Sequence, residues 1–211
     1  MHAFAILLCS MLALGCGAGA GATIQRPHAE SRRAPEVSRG EAPLLARAFE
    51  QRLTVWTRRD GERVLARHCR RGPVDCRARL SAFASMLASA ARDHALDPFL
   101  LGALAVHESM LNPAALGARG EAGIVQLHPR GVGRDVPYVQ DAALRERCQG
   151  QVDACQGPVV ERAASALAES IRRCGGLDGG LARYASGRCG AGLAQARGVL
   201  EERDRLRALI D

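Results

Sequence analysis

The chain has 211 residues, a net charge of +7 and no lysine, so arginine supplies all 29 strongly basic side chains. Hydrophobic residues make up 47% of the chain, which is enough for a sizeable core, whereas aromatic residues make up only 3%. Because strands favour aromatic and β-branched residues, this composition predicts a mainly helical fold. The arginines are scattered and few aromatic side chains are present to stack bases, so nucleic acid is not an expected partner.

Residues 1–15 are predicted to be a cleaved secretory signal. Ala3 to Leu14 form an apolar run that is too short to span a bilayer. Small residues then precede Cys16, and this pattern resembles the lipobox of bacterial lipoproteins, whose cysteine is acylated and becomes the first residue of the mature chain. Ala13 stands where lipoproteins usually have leucine, so an ordinary signal peptide cleaved nearby is the alternative.

Residues 16–40 are predicted to be a flexible tether between the lipid and a folded domain at residues 41–211. The tether is rich in Gly, Ala, Ser, Arg, Glu and Pro and has no hydrophobic periodicity, as is typical of linkers. The expected location is the periplasmic face of a bacterial membrane, and Gly17 is compatible with an outer-membrane lipoprotein. The domain is expected to be a monomer held at the membrane through its N-terminal lipid.

Apolar residues at helical spacing predict the helices of the domain. A first helix covers residues 44–56, and residues 64–65 continue it. The third predicted helix begins at Pro98, where the missing N–H has no consequence, and Asp97 precedes it as the capping residue. The other predicted helices are Leu80 to Ala90, Val159 to Arg173, Gly180 to Tyr184 and Ala191 to Leu209.

The segment between the third and fourth predicted helices has no helical periodicity. Residues 130–158 are therefore predicted to be a long irregular stretch, which in a compact domain is usually functional or disordered. Within the preceding loop, only Gly123 to Leu127 indicates extended structure.

The cysteines predict a disulfide-bonded domain. Cys9 leaves with the signal and Cys16 carries the lipid, so an even number remains in the folded part. An even number of cysteines in an exported chain indicates disulfides. Zinc binding is the alternative, but no Cys-x-x-Cys pair occurs, so no metal site is expected. Six cysteines allow about 15 different pairings, and the sequence leaves the choice open. Pairing of sequence neighbours is the working hypothesis and gives the disulfides Cys69–Cys76, Cys148–Cys155 and Cys174–Cys189.

Glu108, at the end of the third predicted helix, is the candidate catalytic residue. Leu101, Leu104 and Ala105 precede it by one or two turns and share its helix face. Apolar surroundings disfavour the carboxylate, so they raise the pKa of the group and allow it to donate a proton near neutral pH. A solvated glutamate near a helix end is the alternative.

The sequence from Glu108 to Pro129 resembles the catalytic core of soluble lytic transglycosylases, which share the lysozyme-like fold with goose-type lysozymes. The family pattern is Glu-Ser, then Asn-Pro, a glycine-containing loop and Gly-Leu-Met-Gln-Leu-Met-Pro. A later family motif, Ala-Tyr-Asn-Ala-Gly, is echoed by residues 183–187. The resemblance covers residues 80–195 and implies a mainly α, lysozyme-like domain with a short extended loop or hairpin beside the cleft. The residues in register are Glu108, Ser109, Leu111, Asn112, Pro113, Ala115, Gly120, Gly123, Ile124, Val125, Gln126, Leu127 and Pro129.

The resemblance implies that Glu108 acts first as acid and then as base in cleaving the MurNAc–GlcNAc bond of peptidoglycan glycan strands. The muramyl 6-hydroxyl attacks its own anomeric carbon and forms an anhydro product, without a protein nucleophile or a cofactor. Ser109 and Gln126 would line the cleft, and Tyr184 would form its wall beside the acid. Gly123 is a further candidate for substrate contact. The alternatives are a hydrogen bond at the helix end for Ser109 and a backbone requirement for Gly123.

Three positions depart from the family pattern. Ala185 stands where the family has a substrate-contacting Asn, Glu121 where it has Ala, and His128 where it has an apolar residue. A solvated loop position is the ordinary interpretation of Glu121. A second carboxylate that positions water would instead make the protein a hydrolase of the goose-type lysozyme kind. The missing Asn and the unusual Glu121 support a third alternative, a non-catalytic peptidoglycan-binding lipoprotein.

Overall fold

The computed structural model of the protein describes residues 40–70, 74–148 and 152–211. The predicted signal segment, the lipidation site at Cys16 and all but the last residue of the predicted tether lie outside the described residues and stay predictions. The described part is mainly helical, as predicted. Its elements in chain order are α1 (Glu41–Arg52), β1 (Thr54–Thr57), β2 (Arg63–Leu65), α2 (Arg67–Arg70), α3 (Cys76–Asp93), α4 (Pro98–Ser109), α5 (Pro137–Gln140), α6 (Ala142–Arg147), α7 (Val152–Cys174), α8 (Leu177–Ser186) and α9 (Leu193–Ala208).

Helix α4 is the central helix of the domain. It begins as predicted, with Pro98 in the first position and the Asp97 carboxylate accepting a hydrogen bond from the Phe99 N–H at 3.0 Å. Every residue from Pro98 to Val106 is buried, as expected for a helix that is apolar on all faces. Helices α1, α3 and α9 pack around it. The position of the last turn of α4, which carries Glu108, is therefore fixed by the packing of the helix against its three neighbours.

Helix α7 packs against α3 and α8, and α8 in turn packs against α9. A glycine allows α8 to approach α7 closely. A β-carbon on Gly180 of α8 would lie 2.7 Å from the Cα atom of Ile171 in α7, so only glycine fits there. The result is that α8, which carries Tyr184, lies directly on α7.

The structure contains the three predicted disulfides, Cys69–Cys76, Cys148–Cys155 and Cys174–Cys189. Their Cα–Cα distances of 5.3, 5.8 and 5.5 Å lie in the usual range for disulfides. Each bond closes a short loop, so it mainly holds local geometry. The third bond joins the end of α7 to the turn after α8, and it thereby holds α8 at both ends.

The prediction of one helix through residues 44–56 and 64–65 is wrong. Helix α1 ends at Arg52, and the antiparallel strands β1 and β2 follow as a hairpin. The run Thr-Val-Trp-Thr of β1 combines β-branched and aromatic residues, which favour a strand, and Gly61 turns the chain with a φ of 86°. Trp56 fits the helical spacing of the apolar residues, but its side chain is 53% exposed and does not belong to the core.

The prediction that residues 130–158 are irregular is also wrong. Helices α5 and α6 and the beginning of α7 occupy most of this segment. The Asp141 carboxylate caps α6 by accepting hydrogen bonds from the N–H groups of Ala143 and Leu144. The helix predicted from Val159 begins earlier, at Val152, and Pro158 lies inside α7. The proline removes one helical hydrogen bond, but the helix continues on both sides of it.

The segment from Gly123 to Leu127, predicted to be extended, is a tight turn. Ala122 forms isolated bridges with Leu116 and Leu127. Gly123 and Gln126 both have positive φ, at 82° and 47°. The loop beside the cleft is therefore hairpin-like without a regular strand.

Within the described parts of the chain, no helix is long and apolar enough to cross a membrane.

Candidate active site

Glu108 lies at the wall of a cavity of about 700 Å³. One side of this cavity is the loop of residues 115–128, which we call the cleft loop, and the segment that follows it. Helices α7, α8 and α9 contribute the other sides. The chain leaves α4 just after Glu108 through two residues with positive φ, Met110 at 54° and Leu111 at 58°. Left-handed backbone at residues other than glycine is strained, and here it ends α4 within two residues of Glu108.

The surroundings of Glu108 favour the protonated acid. Burial of the side chain is the largest influence and raises the pKa of Glu108 above its usual value. The negative charge of Glu121 acts in the same direction, whereas a hydrogen bond from Gln195 and the charge of His107 lower the pKa by less. Among the described residues, no arginine forms an ion pair with Glu108. The group is therefore suited to hold a proton and to donate it.

Gln195 of α9 is a site residue that the sequence did not indicate. Its Nε2 donates a hydrogen bond to Oε1 of Glu108 at 2.9 Å. Helix α9 comes close enough because Gly198, one turn later, has no side chain. A β-carbon there would lie 2.8 Å from Cε1 of His107. The two partners are 87 residues apart, and no local pattern connects them.

Tyr184 lines the cavity from α8. Its hydroxyl donates a hydrogen bond to the Val125 carbonyl at 3.3 Å, which links α8 to the cleft loop. Burial, together with the nearby charge of Glu108, raises the pKa of Tyr184 far above its usual value, so the phenol stays neutral. Tyr184 thus lines the same cavity as Glu108 and lies close enough for the charge of Glu108 to influence its pKa.

Gln126 also lines the cavity. Its Nε2 donates to the carbonyls of Ala115 at 3.1 Å and Gly123 at 2.9 Å. The amide nitrogen thereby ties the two arms of the cleft loop together and holds the residue at its positive φ of 47°. Gln126 is consequently both a part of the cavity wall and an internal brace of the loop.

Glu121 lies in the cavity wall and is engaged by its neighbour Arg119. The Arg119 Nε donates to Oε1 of Glu121 at 2.8 Å, and the Arg119 N–H donates to Oε2 at 3.0 Å. Partial burial alone would raise the pKa of Glu121, but these hydrogen bonds and the arginine charge outweigh it and lower the pKa. Glu121 therefore ionises more readily than an ordinary glutamate, whereas Glu108 ionises less readily.

Ser109 does not line the cavity, in contrast to the prediction. Its Oγ lies 2.7 Å from the Ile124 carbonyl and 3.2 Å from the Ala105 carbonyl, and it accepts a hydrogen bond from the Asn112 N–H at 3.2 Å. The hydroxyl joins the end of α4 to the cleft loop. This placement favours the structural alternative over substrate contact.

Gly123 does not line the cavity either. It combines a φ of 82° with a close approach to α7, where a β-carbon would lie 2.7 Å from Cγ1 of Val159. The next N–H, of Ile124, donates to Oε1 of the buried Gln156 at 3.1 Å. Gly123 is thus a backbone requirement that lets the cleft loop lie on α7.

All three departures from the family pattern, Ala185, Glu121 and His128, line the cavity. These three positions are therefore exposed to any ligand that occupies the cavity. In the described part of the chain, no group of three or more His, Cys, Asp and Glu side chains is arranged to hold a metal ion.

The chain is similar to a known protein family. The family model of the Transglycosylase SLT domain matches residues 85–193, just over half of the chain. The chain therefore belongs to the transglycosylase SLT family, and the predicted lysozyme-like, mainly α fold is confirmed. The matched range includes Glu108, Gln126 and Tyr184. Neither the curated proteins nor the solved structures with which the chain was compared gave a match.

Proposed function

We propose that the protein is a peptidoglycan lytic transglycosylase in which Glu108 is the single catalytic acid and base. The observation that carries this proposal is the position of Glu108. Its carboxyl group lies at the wall of a cavity of about 700 Å³ and has a raised pKa. Such a volume lies in the range of small-molecule binding sites. Membership of the SLT family supports peptidoglycan as the substrate.

In the proposed reaction, Glu108 donates its proton to the glycosidic oxygen between MurNAc and GlcNAc as the bond to the anomeric carbon breaks. The resulting carboxylate then accepts the proton of the muramyl 6-hydroxyl, whose oxygen bonds to that carbon. The products are a free GlcNAc hydroxyl and a 1,6-anhydro-muramyl end, and Glu108 regains its proton. General acid–base catalysis by one group therefore balances the reaction without water.

Hydrolysis is the second candidate function, because Glu121 is a carboxylate in the same cavity wall. A hydrolase that inverts configuration needs a carboxylate to activate water opposite its acid. Both oxygens of Glu121 are engaged by Arg119, at 2.8 and 3.0 Å. These contacts lower the basicity of the group, so they favour the transglycosylase reaction.

The masses of the products distinguish these two reactions. We expect digestion of purified peptidoglycan to release fragments with anhydro-muramyl ends, each one water lighter than the corresponding reducing end. Glu121→Gln is expected to change the rate but not the mass of the products. If the parent protein releases fragments with reducing ends and Glu121→Gln does not, the protein is a hydrolase instead.

The pH dependence of kcat/KM tests the electrostatics of the site with two variants. Gln195→Ala removes a hydrogen bond that stabilises the Glu108 carboxylate, so the pKa of Glu108 rises further. Glu121→Gln removes a negative charge, so the pKa of Glu108 falls. Because the protonated acid is the active form, the alkaline limb moves to higher pH in the first variant and to lower pH in the second. Shifts in the same direction would contradict this assignment.

A further inference from the structure

Two arginines in the cavity wall have no carboxylate partner among the described residues. Arg162 of α7 and Arg183 of α8 both line the cavity that contains Glu108. Neither takes part in any ion pair of the described structure, whereas Arg119 in the same wall is paired with Glu121. Within the described residues, the cavity wall therefore contains two arginines that form no ion pair with a carboxylate.

Both guanidinium groups are held in place by backbone carbonyls. The Nε of Arg162 donates to the Val132 carbonyl at 3.0 Å, which joins α7 to the segment after the cleft loop. A terminal nitrogen of Arg183 donates to the Gly187 carbonyl at 3.3 Å, at the end of its own helix. Each group keeps further N–H donors beyond the one used in this contact. Anchored guanidinium groups lose less freedom on binding an anion than mobile side chains do.

The carboxylates of the cavity wall leave these arginines unneutralised. Glu121 is paired with Arg119 at 2.8 Å, and Glu169 with Arg173 at 2.7 Å. The charges that shift the pKa of Glu108 are those of His107 and Glu121, and neither arginine is among them. Arg162 and Arg183 line the same cavity as Glu108, and they are available to contact a part of the ligand other than the reacting bond.

We propose that Arg162 and Arg183 form a subsite for carboxylate groups carried by the glycan strand. This proposal rests on the proposed function, since it takes peptidoglycan as the ligand. Guanidinium groups bind carboxylates by paired, charge-assisted hydrogen bonds. A peptidoglycan strand has such groups in its stem peptides, and the lactyl group of MurNAc becomes a second source once the peptide is removed. The subsite therefore makes the protein selective for strands that carry carboxylates.

The proposal is tested by binding in the Glu108→Gln background, which needs no turnover. One double variant, the cavity pair, combines Arg162→Gln and Arg183→Gln. The other, the control pair, combines Arg58→Gln and Arg203→Gln. The second pair removes the same charge from arginines paired with Glu62 and Asp204 outside the cavity. The probes are soluble peptidoglycan strands with stems intact, strands freed of stems by an amidase, strands with all carboxylates amidated, and uncharged oligomers of N-acetylglucosamine.

We expect the cavity pair to weaken binding of stem-bearing strands about tenfold or more, and the control pair to have little effect. Binding of the uncharged oligomers and the amidated strands should not change between the variants. If the cavity pair also weakens binding of the stem-free strands, the subsite binds the lactyl carboxylate. If it weakens binding only of the stem-bearing strands, the subsite binds a carboxylate of the stem peptide. Equal weakening for charged and uncharged probes, or none for any probe, would overturn the subsite. Absence of catalytic products from the parent protein would instead count against the proposed function.

Discussion

Replacing Glu108 by Gln is expected to lower the rate of peptidoglycan cleavage by at least about 100-fold, the scale on which loss of a general acid usually acts. The substitution keeps the shape of the side chain and an oxygen that can accept the hydrogen bond from Gln195. It removes only the proton that the reaction needs. The rate is measured as the release of soluble fragments from purified peptidoglycan.

Glu161→Gln is the matched control, because Glu161 is an exposed glutamate of α7 whose side chain contacts His94 outside the cavity. The control should keep the activity of the parent protein, and circular dichroism should show both variants folded. Activity of Glu108→Gln within a few-fold of the parent would remove Glu108 from the mechanism. No activity in the parent, with wall binding equal in both proteins, would favour the non-catalytic alternative.

Gly123→Ala is expected to produce the largest loss of stability. The left-handed backbone at residue 123 costs a residue with a β-carbon about 1–2 kcal/mol. The new methyl group would also lie 2.7 Å from Cγ1 of Val159, and overpacking of this kind adds about 1–3 kcal/mol. The free energy of unfolding, measured by chemical denaturation, should fall by the sum of these two effects.

Gly61→Ala separates the two contributions. Gly61 has a similar φ of 86°, but a β-carbon there would have nothing within 4 Å. This control should therefore show the backbone cost alone, about 1–2 kcal/mol. Equal losses in the two variants would mean that the cleft loop does not press on α7 at residue 123.

Features that depend on local chemistry could be predicted from the sequence. Asp97 and Pro98 predicted the start of α4, because a cap and an N-terminal proline act within one turn. The disulfide pairs were predictable because each joins sequence neighbours. The face of α4 below Glu108 followed from helical geometry alone. Each of these inferences needs only residues within a few turns of one another.

Features that depend on distant contacts could not be predicted. Gln195 reaches Glu108 only because α9 packs on α4, and its type and spacing do not indicate this. Ser109 was expected in the cleft, but the Ile124 carbonyl captures its hydroxyl at 2.7 Å. The β1–β2 hairpin was missed because Leu53 and Trp56 extend the helical spacing of α1, although only Leu53 is buried.

The proposed mechanism requires Glu108 to hold a proton at a pH where an ordinary glutamate does not. Carbon-13 NMR of protein labelled at the glutamate carboxyl carbons measures this directly, with the Glu108 signal identified by its absence in Glu108→Gln. We expect its titration midpoint to lie above the ~4.3 of an unperturbed glutamate, and that of Glu121 to lie below it. A Glu108 midpoint at or below the ordinary value would contradict the account.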